Sequence, residues 1–153
     1  MAESKKVEIL LVEDNLDDAE LTLHALKKNK LASEIQLVRD GAEALDFLFC
    51  RGPFVGRRID AGPRLVLLDL KLPKVDGLQV LEAVKGDPRT KAIPIIVLTS
   101  SKEETDLVKS YRLGVNSYIQ KPVNFGAFQE VVQQLGLYWL ILNSKPPDAA
   151  FAG

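Results

Sequence analysis

Arg64-Leu65-Val66-Leu67-Leu68-Asp69-Leu70-Lys71-Leu72-Pro73 decides the fold, because an unbroken apolar run meets a single carboxylate and then, four residues on, a proline. Leu65 to Leu68 shows no polar alternation, which suits a strand covered on both faces at the centre of a parallel sheet. Asp69 then falls at the carboxyl end of that strand, the edge at which open α/β sheets bind ligands. A second run, Val7 to Val12, is apolar apart from Glu8 and stops on Glu13-Asp14. If the two strands are parallel neighbours, three carboxylates converge on one edge. Unpaired buried charge is costly, so the cluster calls for a compensating cation. Hard oxygen ligands in a small open cluster favour Mg²⁺, which keeps several waters and accepts few protein carboxylates.

The 153 residues are enough for one domain with a substantial core. Twenty basic residues against 21 acidic ones give no excess charge that would point to a nucleic-acid or membrane surface. The single cysteine, Cys50, leaves no internal disulfide framework and fits a reducing cytoplasm. The opening Met1-Ala2-Glu3-Ser4-Lys5-Lys6 carries three charges and leads into a strand rather than an apolar signal segment. No apolar run reaches the roughly 18 to 20 residues of a membrane span, so a soluble, cytoplasmic protein is expected.

Outward from these two strands, the periodicity alternates. Asn15 can cap a helix whose start carries Asp17, Asp18 and Glu20 and whose end carries Lys27, Lys28 and Lys30. Ser33 to Arg39 reads as a short strand, and Gly41 to Cys50 as a helix built on Ala42, Leu45, Phe47 and Leu48. Arg51 to Pro63, with three glycines and two prolines, reads as a loop in which Arg57 and Arg58 are solvated. After Asp76-Gly77 a third helix uses Leu78, Val80, Leu81 and Val84. Ile93 to Leu98 is the next buried strand, 102–113 a fourth helix, Ser117 to Gln120 the last strand, and a long apolar helix starts near Asn124. Right-handed crossovers place these strands in one parallel sheet of a doubly wound α/β fold.

Four strand ends therefore carry polar residues: Glu13-Asp14, Asp69, Thr99 and Lys121. This set resembles the receiver domain of two-component response regulators, over essentially the whole chain to about Leu135. The resemblance implies a flavodoxin-like sheet of order 2-1-3-4-5 with five helices. It implies a receiver domain over 1–143 with an extended last helix, and a tail over 144–153. It also implies that Asp69 accepts a phosphoryl group from a sensor histidine kinase. Glu13, Asp14, Asp69 and the backbone carbonyl of Lys71 would hold Mg²⁺, while Lys121 and Thr99 bind phosphoryl oxygens. Tyr118, three residues before Lys121, stands where the family has its switch aromatic. Lys71 and Ser101, two residues beyond Asp69 and Thr99, offer no carboxylate or amide to orient an attacking water, so a long-lived phosphoryl group is expected.

Two other readings compete. Haloacid-dehalogenase-type phosphatases also use an aspartate nucleophile, but the second acid they carry two residues later is Lys71 here. A phosphorylation-independent pseudo-receiver is the other, and the five matching positions argue against it. Neither G-x-x-x-x-G-K-[ST] nor G-x-G-x-x-G appears. The loop before the third strand and the ending Leu137-Tyr138-Trp139-Leu140-Ile141-Leu142-Asn143 look like the stand-alone response regulators paired with bacterial phytochromes. Leu135 to Leu142 is apolar at every position but Gly136. Read as one helix, it exposes a face that suits a homodimer built from the fourth helix, last strand and last helix, with Tyr138, Trp139 and Leu142 at its centre.

Overall fold

Leu65, Val66, Leu67 and Leu68 are fully buried in the computed structural model, as a strand covered on both faces requires. The structure describes residues 9–28, 34–72, 76–100 and 117–137. In chain order the elements are β1 (Ile9–Val12), α1 (Leu16–Lys28), β2 (Ile35–Val38), α2 (Gly41–Leu48), two short 3-10 turns (Gly52–Phe54 and Ile59–Ala61), β3 (Leu65–Asp69), α3 (Gly77–Lys85), β4 (Ile95–Thr99), β5 (Ser117–Gln120) and α4 (Phe125–Gln134). The five strands form one parallel sheet in the order β2-β1-β3-β4-β5, as expected.

Alternation along each strand sorts the core into two layers. Leu10, Val12, Val66, Leu68 and Val97 point to the side covered by α2 and α3, where they meet Phe47, Leu48, Val80, Leu81 and Val84. Ile9, Leu11, Leu65, Leu67 and Leu98 point to the other side and pack on Leu26 of α1 and on Phe128, Val131 and Val132 of α4. With both faces occupied, the central strands β1, β3 and β4 are buried along their length, and their functional groups can meet water only at the strand ends.

Helix starts are fixed by side chains that satisfy otherwise orphaned N–H groups. Asp40 accepts from Glu43 N, Asn124 accepts from Ala127 N, and Asp76 forms a reciprocal capping box with Gln79. The end of α4 is equally defined. Gly136 has φ 73°, Leu137 N donates to Val132 O and Gly136 N to Gln133 O, the paired bonds of a left-handed helix stop. The last helix therefore does not run unbroken to Asn143 as expected, because Gly136 terminates it. The helix expected over 102–113, Ser101, and Tyr138, Trp139 and Leu142 lie outside the described residues.

The segment Arg51 to Pro63 also departs from a solvated loop. Its Phe54 ring meets Phe47 edge-on at 5.0 Å, and the Arg57 guanidinium lies 3.7 Å above the Phe47 ring. Arg57 further donates to Phe47 O, to Gly62 O at 3.1 Å and to Cys50 Sγ at 3.5 Å. Only Arg58 behaves as expected, in an exposed pair with Asp60. The helix expected over Gly41 to Cys50 is shorter as well: α2 stops at Leu48, and Cys50 turns the chain with φ 56°.

Gly77 couples this scaffold to the strand end that matters. It opens α3 with its N–H on Leu70 O at 2.9 Å, and a Cβ there would lie 2.5 Å from Asp69 O and 2.6 Å from Leu70 Cα. Both obstacles are backbone, so neither can step aside as a side chain would. Gly77→Ala is expected to destabilise the fold by roughly 1–3 kcal/mol through forced backbone displacement. Urea unfolding of the purified variant measures it, and an unchanged midpoint would contradict the tight approach.

Candidate phosphoryl and metal site

Register brings the polar strand ends level. Val12 pairs with Leu68, so Glu13 stands beside Asp69; Asp69 pairs with Leu98, so Thr99 follows one step on; and Thr99 pairs with Gln120. Lys121 N then donates to Thr99 O at 2.7 Å, which holds the lysine at the same edge. Glu13 and Thr99 are fully buried and Asp69 is 3% exposed. Glu13, Asp14 and Asp69 each offer a carboxylate oxygen, all within 4.8 Å of one another.

Into this cluster reaches Lys121. Its Nζ lies 2.8 Å from Asp69 Oδ2, 2.7 Å from Glu13 Oε1 and 3.1 Å from Asp18 Oδ2. The contacts to Asp69 and Asp18 have hydrogen-bond geometry. Glu13 Oε1 has the charge of the ammonium beside it but no directed donor, and it is buried. The second oxygens of Glu13 and Asp69 accept from backbone: Asn15 N donates to Glu13 Oε2 at 3.2 Å and Lys71 N to Asp69 Oδ1 at 3.2 Å.

Burial pushes the Glu13 carboxyl up to about 7, and the adjacent Asp69 adds to the rise while Lys121 opposes it. For Lys121, burial works against the charged form, but hydrogen bonding and attraction to Asp69 and Glu13 outweigh it and hold the ammonium protonated. The cluster thus contains more negative charge than one ammonium satisfies. All its protein donors are oxygens, and one buried oxygen lacks a directed partner. That is the donor set and the deficit a small divalent cation fits, with Glu13, Asp14 and Asp69 as its ligands.

The sequence-predicted residues divide accordingly. Glu13, Asp14, Asp69 and Lys121 converge, and Thr99 borders them. Tyr118 sits on β5 opposite Val97, is 37% exposed, and is not in the charged cluster. Two residues at the site escape sequence reasoning. Asp18 reaches Lys121 from the first turn of α1, and Arg39, just after β2, donates to Asp14 O at 2.7 Å. For Asp18 the available signal was its place one helical turn beyond Asp14; for Arg39 there was none.

Comparison with known proteins bears on the same geometry. The response regulator receiver domain family matches residues 9–133. The structure of the bacteriophytochrome response regulator AtBRR is 53% identical, with a TM-score of 0.81 over 89% of this chain and 96% of that one. Response regulator Rcp1 of Synechocystis is 41% identical over 90% of this chain and 92% of its own length, and its Mn²⁺-bound crystal structure superposes with a TM-score of 0.70 over 94% of this chain and 100% of that one. The probable methanogenesis regulatory protein FilR2 of Methanothrix harundinacea is 43% identical over 92% of this chain and 88% of its own.

A metal ligand must be ionised, so a carboxyl raised to about 7 makes divalent binding pH-dependent. Mg²⁺ affinity is expected to climb with pH, by up to about tenfold per unit, and level off above about 7. The metal-free fold responds in the opposite sense. Its Glu13 keeps a proton that an unfolded carboxyl near 4.5 has lost, so this contribution to stability is full below about 4.5 and lost as pH rises to about 7. Calorimetric Mg²⁺ titrations across this range check the first statement, and Glu13→Gln is expected to lose both most of the affinity and its pH dependence.

Proposed function

We propose a function from one premise: this chain belongs to the response regulator receiver family, and among its relatives are the response regulators of phytochromes. Its task is to take a phosphoryl group from the phosphohistidine of a sensor histidine kinase onto Asp69 and to signal by protein contact or onward relay. A phytochrome-type kinase is the partner favoured by the likeness to AtBRR and Rcp1. The observation that carries the reading is the Lys121 ammonium 2.8 Å from Asp69 Oδ2 at an edge where Glu13 and Asp14 also converge.

In this reading an Asp69 carboxylate oxygen forms the bond to phosphorus as the P–N bond of the phosphohistidine breaks, and the imidazole leaves with the electron pair. Such transfers depend mainly on positioning and charge neutralisation. Lys71 N on Asp69 Oδ1 fixes the carboxylate, leaving Oδ2 toward Lys121, whose ammonium follows the charge onto a phosphoryl oxygen. Mg²⁺, when bound by Glu13, Asp14, Asp69 and the carbonyl of Lys71, supplies the positive charge that lets an anionic nucleophile meet an anionic phosphate. The Thr99 hydroxyl donates to another phosphoryl oxygen, and Tyr118, on the adjoining strand, responds to the space Thr99 leaves. Site coupling of this kind supplies about 1 to 3 kcal/mol, enough to shift a population without rebuilding the sheet.

The apolar stretch Tyr138-Trp139-Leu140-Ile141-Leu142 is proposed to cover a two-fold contact between copies together with the segment 102–113, β5 and the last helix, α4. Sedimentation of wild type against the double variant Trp139→Ala plus Leu142→Ala is expected to show a dimer only for the former. A wild type that stays monomeric at tens of micromolar, with or without acetyl phosphate, removes this part.

Asp69→Asn is the decisive variant for the reaction, since it deletes the nucleophile at nearly constant volume. Incubated with acetyl phosphate and Mg²⁺ and run on a phosphate-affinity gel, wild type is expected to shift and the variant to stay put. Equal shifts would assign the acceptor elsewhere, and a wild type that never shifts would favour a phosphorylation-independent interaction module.

A further inference from the structure

On sequence grounds Asp18 is one of two acids that suit the first turn of α1, and Asp17 beside it is the other. Only Asp18 turns back to the sheet edge. Asn15 accounts for this: its side chain accepts from Asp18 N at 3.0 Å while its own N–H donates to Glu13 Oε2 at 3.2 Å, so the first turn of α1 is tied directly to the end of β1. The Asp18 carboxylate then meets Lys121, 103 positions along the chain, with Oδ2 3.1 Å from Nζ.

Lys121 thus has three carboxylates around an ammonium with three N–H donors. Two of the three have another use in the proposed reaction, Glu13 as a metal ligand and Asp69 as ligand and acceptor. Asp18 lies outside the group of acids whose oxygens approach one another, so neither metal binding nor phosphoryl transfer withdraws it. It is 38% exposed against 13% for Lys121, a half-shielded pair that salt does not abolish.

Resting on the reading of Asp69 as acceptor, we propose that Asp18 is a positioning residue for phosphoryl uptake: its carboxylate keeps the Lys121 ammonium over Asp69 while Glu13 and Asp69 change partners. No bond is made or broken at Asp18. Its contribution is that Lys121 need not search for the incoming phosphoryl oxygen.

A double-mutant cycle tests this, because a residue acting through Lys121 has nothing to act on once the lysine is gone. With acetyl phosphate and saturating Mg²⁺, Asp18→Ala is expected to slow uptake roughly three- to fivefold, the upper range for a half-exposed ion pair. Asp18→Glu is expected to restore most of the rate. Asp17→Ala, which removes the same charge from the helix start without reaching Lys121, is expected to leave the rate unchanged. In a Lys121→Ala background, Asp18→Ala is expected to have no further effect. Where that background takes up label too slowly to time, Mg²⁺ titration of the same four proteins gives the cycle: Asp18→Ala weakens binding more with Lys121 present, because the released ammonium competes for Glu13 and Asp69. Wild-type uptake in Asp18→Ala, or equal effects with and without Lys121, would overturn the inference while leaving Asp69 as acceptor. A wild type that takes up no phosphoryl group would instead overturn the reading of the site, and this inference with it.

Discussion

One ammonium among carboxylates, at an edge nearly closed to water, is the interaction on which the site depends. Glu13 and Asp69 are buried side by side because their strands pair in register, and two like charges so placed repel strongly in a medium of low polarity. Lys121 relieves that repulsion. It is delivered by β5, at the far side of β4 from Asp69, so the three strands β1, β3 and β5 must all be seated before the charges balance. Breaking such a cluster from one side leaves uncompensated charge in the fold, whereas replacing it wholesale with apolar groups would cost little. Its retention is a matter of chemistry more than stability.

The balance is deliberately incomplete. Glu13 Oε1 has charge beside it but no directed hydrogen bond, and burial raises its carboxyl to about 7. A site fully satisfied by protein groups would have no reason to admit a cation; one short of positive charge does. On the proposed reading the same shortage serves Lys121, since a phosphoryl group on Asp69 would bring more negative charge than the carboxylate it replaces.

Around this edge the scaffold is tied down by unlike means. Gly77 lets α3 start against the backbone of Asp69 and Leu70, where any Cβ would collide. Arg39 fixes Asp14 O from the β2 side, and Asn15 ties α1 to Glu13. Farther off, Arg57 holds the long connection before β3 against α2 by stacking on Phe47 and donating to two carbonyls. That connection ends where β3 begins, so the clamp also limits how far β3 can shift.

Much of this was legible in the residues alone. Unbroken apolar strands demand helices on both faces, which forces polar residues to the strand ends, and the carboxyl edge then collects Glu13, Asp14, Asp69, Thr99 and Lys121 by topology. Periodicity cannot carry more, because it reports which face a residue takes and not how far its side chain reaches. Asp18 reads as helix-start charge, yet its carboxylate accepts from a lysine 103 positions away. Arg57 reads as loop charge, yet it stacks on a ring. An apolar run from Leu135 reads as one helix, yet Gly136 at φ 73° ends it. Long-range pairs and backbone reversals depend on where distant segments come to rest, and the assembled fold alone determines that.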